Sequence, residues 1–137
     1  MLVEVTVVNL SQQSEESDSG VDRGSTARCK FVLVSVGQEH CFVFGPVQEF
    51  AYHANLINRF CSDRGIPTAW VRRPDRVQVY DKQVRLHGGG WMEINPQEST
   101  IRIWGHSSVY GRFDREILDL LIENDPFFAL YYTGVEN

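Results

Sequence analysis

The sequence predicts an α+β domain with an α/β sandwich-like build: one mixed β-sheet flanked by two main helices. Three observations predict it. Short runs rich in valine, isoleucine and phenylalanine outnumber the segments with helical periodicity. The two helical segments, near 46–64 and from 114, fall between groups of such runs. The chain has 137 residues, which suits a single domain over 1–137 that buries a core without disulfides or a metal.

The elements follow in order. Residues 2–9 are valine-rich and alternate loosely, which predicts a strand. Residues 11–27 are mainly Ser, Gln, Glu, Asp and Gly, with Val21 the only sizeable apolar side chain; a polar mobile loop is expected, because little surface is available to offset its ordering entropy. In the strand predicted at 30–36, Phe31, Leu33 and Ser35 share one face and Val32, Val34 and Val36 the other. Both faces are largely apolar, as inside a sheet, and the valine face is expected to be the fully buried one. Gly37-Gln38-Glu39 turns the chain into a second apolar run at 40–44.

Gly45-Pro46 is expected to open a helix, with proline at the first position, where its missing N–H has no partner to lose. Val47, Phe50, Ala51, Ala54, Ile57 and Cys61 step by three and four, and Gly65 and Pro67 end the pattern, which predicts a helix over 46–64 with His53 about two turns in. Strands are predicted over 68–73, 76–80 and 83–86. Gly88-Gly89-Gly90 reads as a flexible break between strands. Runs at 91–94 and 99–104 flank the turn Asn95-Pro96-Gln97-Glu98. Asp114 is a candidate N-cap for a second helix carrying Ile117, Leu118, Leu120 and Leu121, which fades near Asn124-Asp125-Pro126. Residues 127–133 read as a last strand.

A formal net charge of −5 argues against a nucleic-acid partner, which needs a basic face. Cys29, Cys41 and Cys61 are odd in number and widely spaced, which points to free thiols in a reducing compartment. The start Met1-Leu2-Val3-Glu4 lacks the basic region of a signal peptide, and no apolar run approaches the ~18 residues of a spanning helix. The expectation is a cytoplasmic protein with no membrane partner.

Two segments carry chemistry. Tyr52-His53-Ala54 offers an imidazole on a rigid element, able to take a proton from water or to attack phosphorus. Gly105-His106-Ser107-Ser108-Val109-Tyr110-Gly111 is a small-residue turn of the kind that aims backbone N–H groups and hydroxyls at an anion. Each has a plain alternative: a half-buried histidine bonded to a backbone carbonyl, and an ordinary strand-to-helix connection. Lys30 can reach a neighbouring site as a point charge for phosphate, or simply face solvent. The triple glycine lacks the Lys-Ser/Thr of a phosphate loop. With His87 it also mimics an esterase oxyanion segment, but Val109 stands where a nucleophile elbow needs glycine. The four histidines have no metal-ligand spacing, so no metal is expected. The cluster Arg72-Arg73-Pro74-Asp75-Arg76 reads as a solvated turn, with phosphopeptide docking as the alternative.

Lys30-Phe31-Val32-Leu33-Val34-Ser35-Val36, Tyr52-His53-Ala54, Gly88-Gly89-Gly90 and Gly105-x-Ser107-x-x-Tyr110-Gly111, in this order, resemble the Janus/Ocnus family, whose best-known members are protein phosphohistidine phosphatases. The resemblance covers roughly 28–123 and implies a compact domain with a mixed sheet and two main helices. It implies His53 as the catalytic histidine, Lys30 near the phosphate, Ser107 and the backbone around Val109 as the phosphate turn, and no metal or other cofactor. Ser108 and Tyr110 belong to the same turn. Two family arginines are replaced, by Phe44 before the glycine preceding the first helix and by Trp91 after the triple glycine, and His106 stands where the family usually has tyrosine.

The expected function is a metal-independent phosphatase acting on phosphohistidine or a related phosphoramidate, on a phosphoprotein or a small phosphorylated substrate. If protonated, His106 partly replaces the missing arginines, and activity then favours mildly acidic pH. The alternative is a non-catalytic binding module of the same fold, its pocket lined by Phe44, Trp91 and His106 and holding a peptide or small ligand.

Overall fold

The structure, a computed structural model, describes residues 4–11 and 26–136. Its elements are β1 (Glu4–Asn9), β2 (Ala27–Val36), β3 (Glu39–Pro46), α1 (His53–Asp63), β4 (Thr68–Arg72), β5 (Arg76–Val79), β6 (Val84–Asn95), β7 (Thr100–Trp104), α2 (Arg115–Asn124), α3 (Pro126–Ala129) and β8 (Tyr132–Val135). Six strands form one sheet in the order β1-β3-β2-β6-β7-β8, and β4 and β5 pair as a separate hairpin. The outer pairs β1–β3 and β7–β8 are parallel and the inner ones antiparallel, so the sheet is mixed and the domain is α+β. The expected polar loop at 11–27 falls largely on residues outside those described.

Each face of the sheet has its own core. On one face Val32, Val34 and Val43 pack with Ala54, Leu56, Ile57 and Phe60 of α1 and with Val77 of the hairpin. On the other, Phe31, Leu33, Phe42, Met92, Ile101 and Ile103 pack with Leu118 and Leu121 of α2 and Phe128 of α3. The valine face is therefore not the more deeply buried one: Phe31, Leu33 and Ser35 are fully enclosed, while Val36 is only partly covered. A central strand between two helical layers loses water on both sides.

Three sequence expectations are corrected. The first helix begins at His53, seven residues after Pro46, which instead ends β3 paired with Cys29. The Phe50 ring lies over Gly45, where a Cβ would come within 2.5 Å of it, and the Pro46 carbonyl accepts from the Glu49 and Phe50 N–H groups at 3.0 and 2.9 Å. That closes a turn rather than a helix. The triple glycine is not a break: β6 runs through it from Val84 to Asn95. Finally, residues 126–129 are a short helix, not strand, because the Asp125 side chain caps it at the Phe127 N–H, 2.9 Å away, with proline at the first turn. Asp114 caps α2 as expected, accepting from the Glu116 and Ile117 N–H groups.

Candidate functional site

The site is built where β6 departs from regular pairing. Val32 faces Gly89 but Val34 faces Leu86, so His87 and Gly88 together oppose Leu33, a bulge with one extra residue. Gly88 has φ +83°, and a Cβ there would lie 2.0 Å from the Arg112 carbonyl oxygen. The bulge thus admits the chain that follows β7: the Gly89 N–H donates to the Gly111 carbonyl at 3.1 Å, and the Asp114 N–H to the His87 carbonyl at 2.9 Å. The loop 105–111 is pinned beside the strand in this way. Within it the Ser107 N–H donates to the Gly111 carbonyl and the Tyr110 N–H to Ser107 Oγ, at 3.1 and 3.0 Å. Ser108 and Val109 lie between these two anchored residues.

His53 opens α1. The Asn55 side chain accepts from the Tyr52 N–H at 3.0 Å, fixing the entry to the helix. The imidazole sets the edge with Cδ2 and Nε2 against the glycine strand, and a Cβ on Gly89 would sit 2.9 Å from its Cδ2. Its Nε2 is 3.0 Å from the Gly90 carbonyl oxygen. A carbonyl only accepts, so Nε2 carries the proton and Nδ1, on the other edge of the ring, holds the lone pair. Burial lowers the His53 pKa, the Gly90 bond works against that, and nearby Lys30 and His106 lower it further. The ring is neutral at pH 7. The plain reading of a histidine on a backbone carbonyl describes one edge of this ring and leaves the other edge available.

A cavity of about 230 Å³ is lined by Lys30, Tyr52, His53, Asp75, Trp91, His106, Ser107, Ser108 and Val109. The structure therefore gathers His53, Lys30, Trp91, His106 and the turn 107–109 round one opening. The Lys30 ammonium donates to the Ala51 carbonyl and lies 4.8 Å from the Trp91 ring centroid and 5.8 Å from that of Tyr52. Burial lowers its pKa. Trp91 is itself stacked on Trp104, 6.5 Å between centroids.

Two expected members lie elsewhere. Phe44 is not a cavity residue: side chains alternate along β3, so Gly45 pairs with Lys30 on the cavity face and Phe44 pairs with Phe31 on the other. Its ring packs against Phe42 and Phe127, 5.9 and 5.6 Å away. Tyr110 does not reach the cavity either, and its N–H is already used by Ser107. Its hydroxyl accepts from the Val77 N–H at 2.8 Å and donates to the Val77 carbonyl at 3.2 Å, tying the loop to β5. Asp75, in the β4–β5 turn, lines the cavity and was not expected there; nothing in its arginine-rich surroundings signals which element that turn leans over.

Among the described residues no group of three or more His, Cys, Asp or Glu side chains is placed to hold a metal ion. No helix among the described residues is long and apolar enough to cross a membrane. The profile of the Janus/Ocnus family (Ocnus) matches residues 19–128. The chain belongs to the Janus/Ocnus family. No curated protein matches it. Within this Janus/Ocnus chain, the three thiols are buried and free, and burial pushes Cys29 and Cys41 up to about 12 and Cys61 to about 11, so none is a nucleophile at neutral pH.

Proposed function

We propose that this protein is a cytoplasmic, metal-independent phosphatase acting on phosphohistidine or a related phosphoramidate, carried by a phosphoprotein or a small molecule. The observation that carries the reading is the orientation of His53: Nε2–H is committed to the Gly90 carbonyl, which leaves Nδ1 unprotonated on a ring that borders the cavity beside the turn 107–109. A neutral imidazole in a fixed tautomer is what a general base or a nucleophile toward phosphorus needs. The phosphoryl oxygens take the Ser108 and Val109 N–H groups, the Ser107 hydroxyl and the Lys30 ammonium. These donors are in place before the reaction and stabilise the charge that develops on the transferring group. Water attacks with its proton passing to Nδ1, or Nδ1 attacks and water then cleaves the phosphorylated ring.

A second reading has one specific support. Trp91, not a guanidinium, forms part of the wall, its ring lying between the Lys30 ammonium and the Trp104 indole. That favours a binding module of the same fold without turnover. Phosphate release from a phosphohistidine peptide by wild type and His53→Ala separates the two. The phosphatase reading expects a loss of about 10²–10⁴-fold in the variant. Equal rates for the two proteins would leave only the binding module.

A further inference from the structure

Phosphate binding does not explain one wall of the cavity. Asp75 is the only carboxylate among the described lining residues, and a fixed anion beside a seat for a phosphoryl group works against a purely anionic ligand. Its position is held from two sides. Arg72 Nε and Nη2 donate to Oδ1 and Oδ2 at 2.8 and 3.2 Å. The hairpin is tied to the phosphate turn through the two bonds between the Tyr110 hydroxyl and Val77. The carboxylate and the N–H groups of the turn therefore belong to one frame. Arg72 takes one lone pair on each oxygen and the Asp75 N–H a third, which leaves the carboxylate one more for a donor in the cavity. Arg72 beside Asp75 also holds its carboxyl below the usual range, so it is an acceptor and not an acid at neutral pH.

We propose that Asp75 is a specificity-determining residue that accepts a hydrogen bond from a protonated nitrogen of the substrate, so that the site prefers a zwitterionic phosphoryl compound over a plain phosphate monoester. The inference rests on the phosphatase reading and adds to it a reason for choosing N-phosphoryl groups. In phosphohistidine the second ring nitrogen can carry a proton. As the oxygen of water bonds to phosphorus, its proton passes to His53 Nδ1, the P–N bond breaks, and the electron pair stays on the departing nitrogen. With the far nitrogen protonated, the ring leaves as neutral imidazole; without that proton it leaves as an anion. Asp75 holds the form that leaves neutral.

The test compares kcat/KM of wild type and Asp75→Asn on a phosphohistidine peptide and on phenyl phosphate, whose leaving group carries no cation. The substitution is expected to lower the first about tenfold or more, as for loss of a charged hydrogen bond, and to leave the second unchanged or raised. Tyr110→Phe, which loosens the frame without touching the carboxylate, is expected to shift the same ratio in the same direction. Equal effects of Asp75→Asn on both substrates would overturn the inference. If wild type turns over neither, the phosphatase reading fails, and the role of Asp75 is read from calorimetry with phosphoethanolamine and methyl phosphate. Wild type is then expected to prefer the zwitterion about tenfold and Asp75→Asn to lose that preference; no preference in wild type overturns the role.

Discussion

His53 is held by three constraints that act on one ring. The glycine strand leaves room for its edge, the Gly90 carbonyl fixes which nitrogen is protonated, and burial keeps it neutral. Its folded pKa lies below the ordinary 6.5, mainly through desolvation. On the proposed mechanism the unprotonated form works, so kcat/KM should rise with pH through that lowered pKa and level off before neutrality. His106 stands exposed at the rim of the same cavity, and its positive charge lowers the His53 pKa. His106→Asn removes that charge and is expected to move the ascending limb to higher pH. A pH–rate profile of both proteins checks this; an ascending limb centred above pH 7 would mean that another group is the base.

The element that organises the site is β6, and its triple glycine is an architectural necessity. A Cβ on Gly89 would meet the Phe31 carbonyl oxygen at 2.4 Å and His53 Cδ2 at 2.9 Å, so Gly89→Ala must push strand and imidazole apart. We expect about 1–3 kcal/mol of destabilisation, as for other overpacked sites, with a fall in activity greater than the fall in folded protein. Gly134→Ala is the control: nothing lies within 4 Å of a Cβ there, and its effect should stay within about 0.5 kcal/mol. Urea midpoints and phosphatase rates on the same preparations decide it; full activity in folded Gly89→Ala would show that the ring does not need the room glycine leaves. The local code announced α2, whose Asp114 cap and apolar steps are written in neighbouring residues, and the strands of the sheet, whose alternation needs no partner to be seen. It brought His53, Lys30 and Ser107 forward as well. It was silent wherever a distant contact decides: Phe50 on Gly45 delays α1, the Arg112 backbone on Gly88 turns an apparent break into strand, and Tyr110 on Val77 carries Asp75 to the cavity. Phe44 faces away from the pocket because one position along a strand changes the face.

For the molecule as a whole, the same burial that prepares the site makes the fold sensitive to acid. His53 and His87 both have lowered pKa values, in each case chiefly from desolvation. Between those lowered values and the ordinary 6.5, the unfolded chain binds more protons than the folded one, so stability rises with pH across that window and is lost as pH falls through it. Each ring contributes a slope of at most about 1.4 kcal/mol per pH unit. Glu39 works in a lower window: its hydrogen bond from Thr6, with help from Arg64, holds its carboxyl below the ordinary 4.5, and the stability it supplies disappears as pH falls below that value. Urea unfolding followed by tryptophan fluorescence should therefore be nearly level from about pH 8 to pH 7, decline once the histidines begin to protonate, and fall more steeply when Glu39 joins them. His87→Gln should flatten the first decline without touching Nδ1 of His53, which separates the histidine contribution to stability from the one to catalysis. Equal stability at pH 7 and pH 5 would show that neither ring is held neutral by the fold, and the base assigned to the cavity would lose the property that qualifies it.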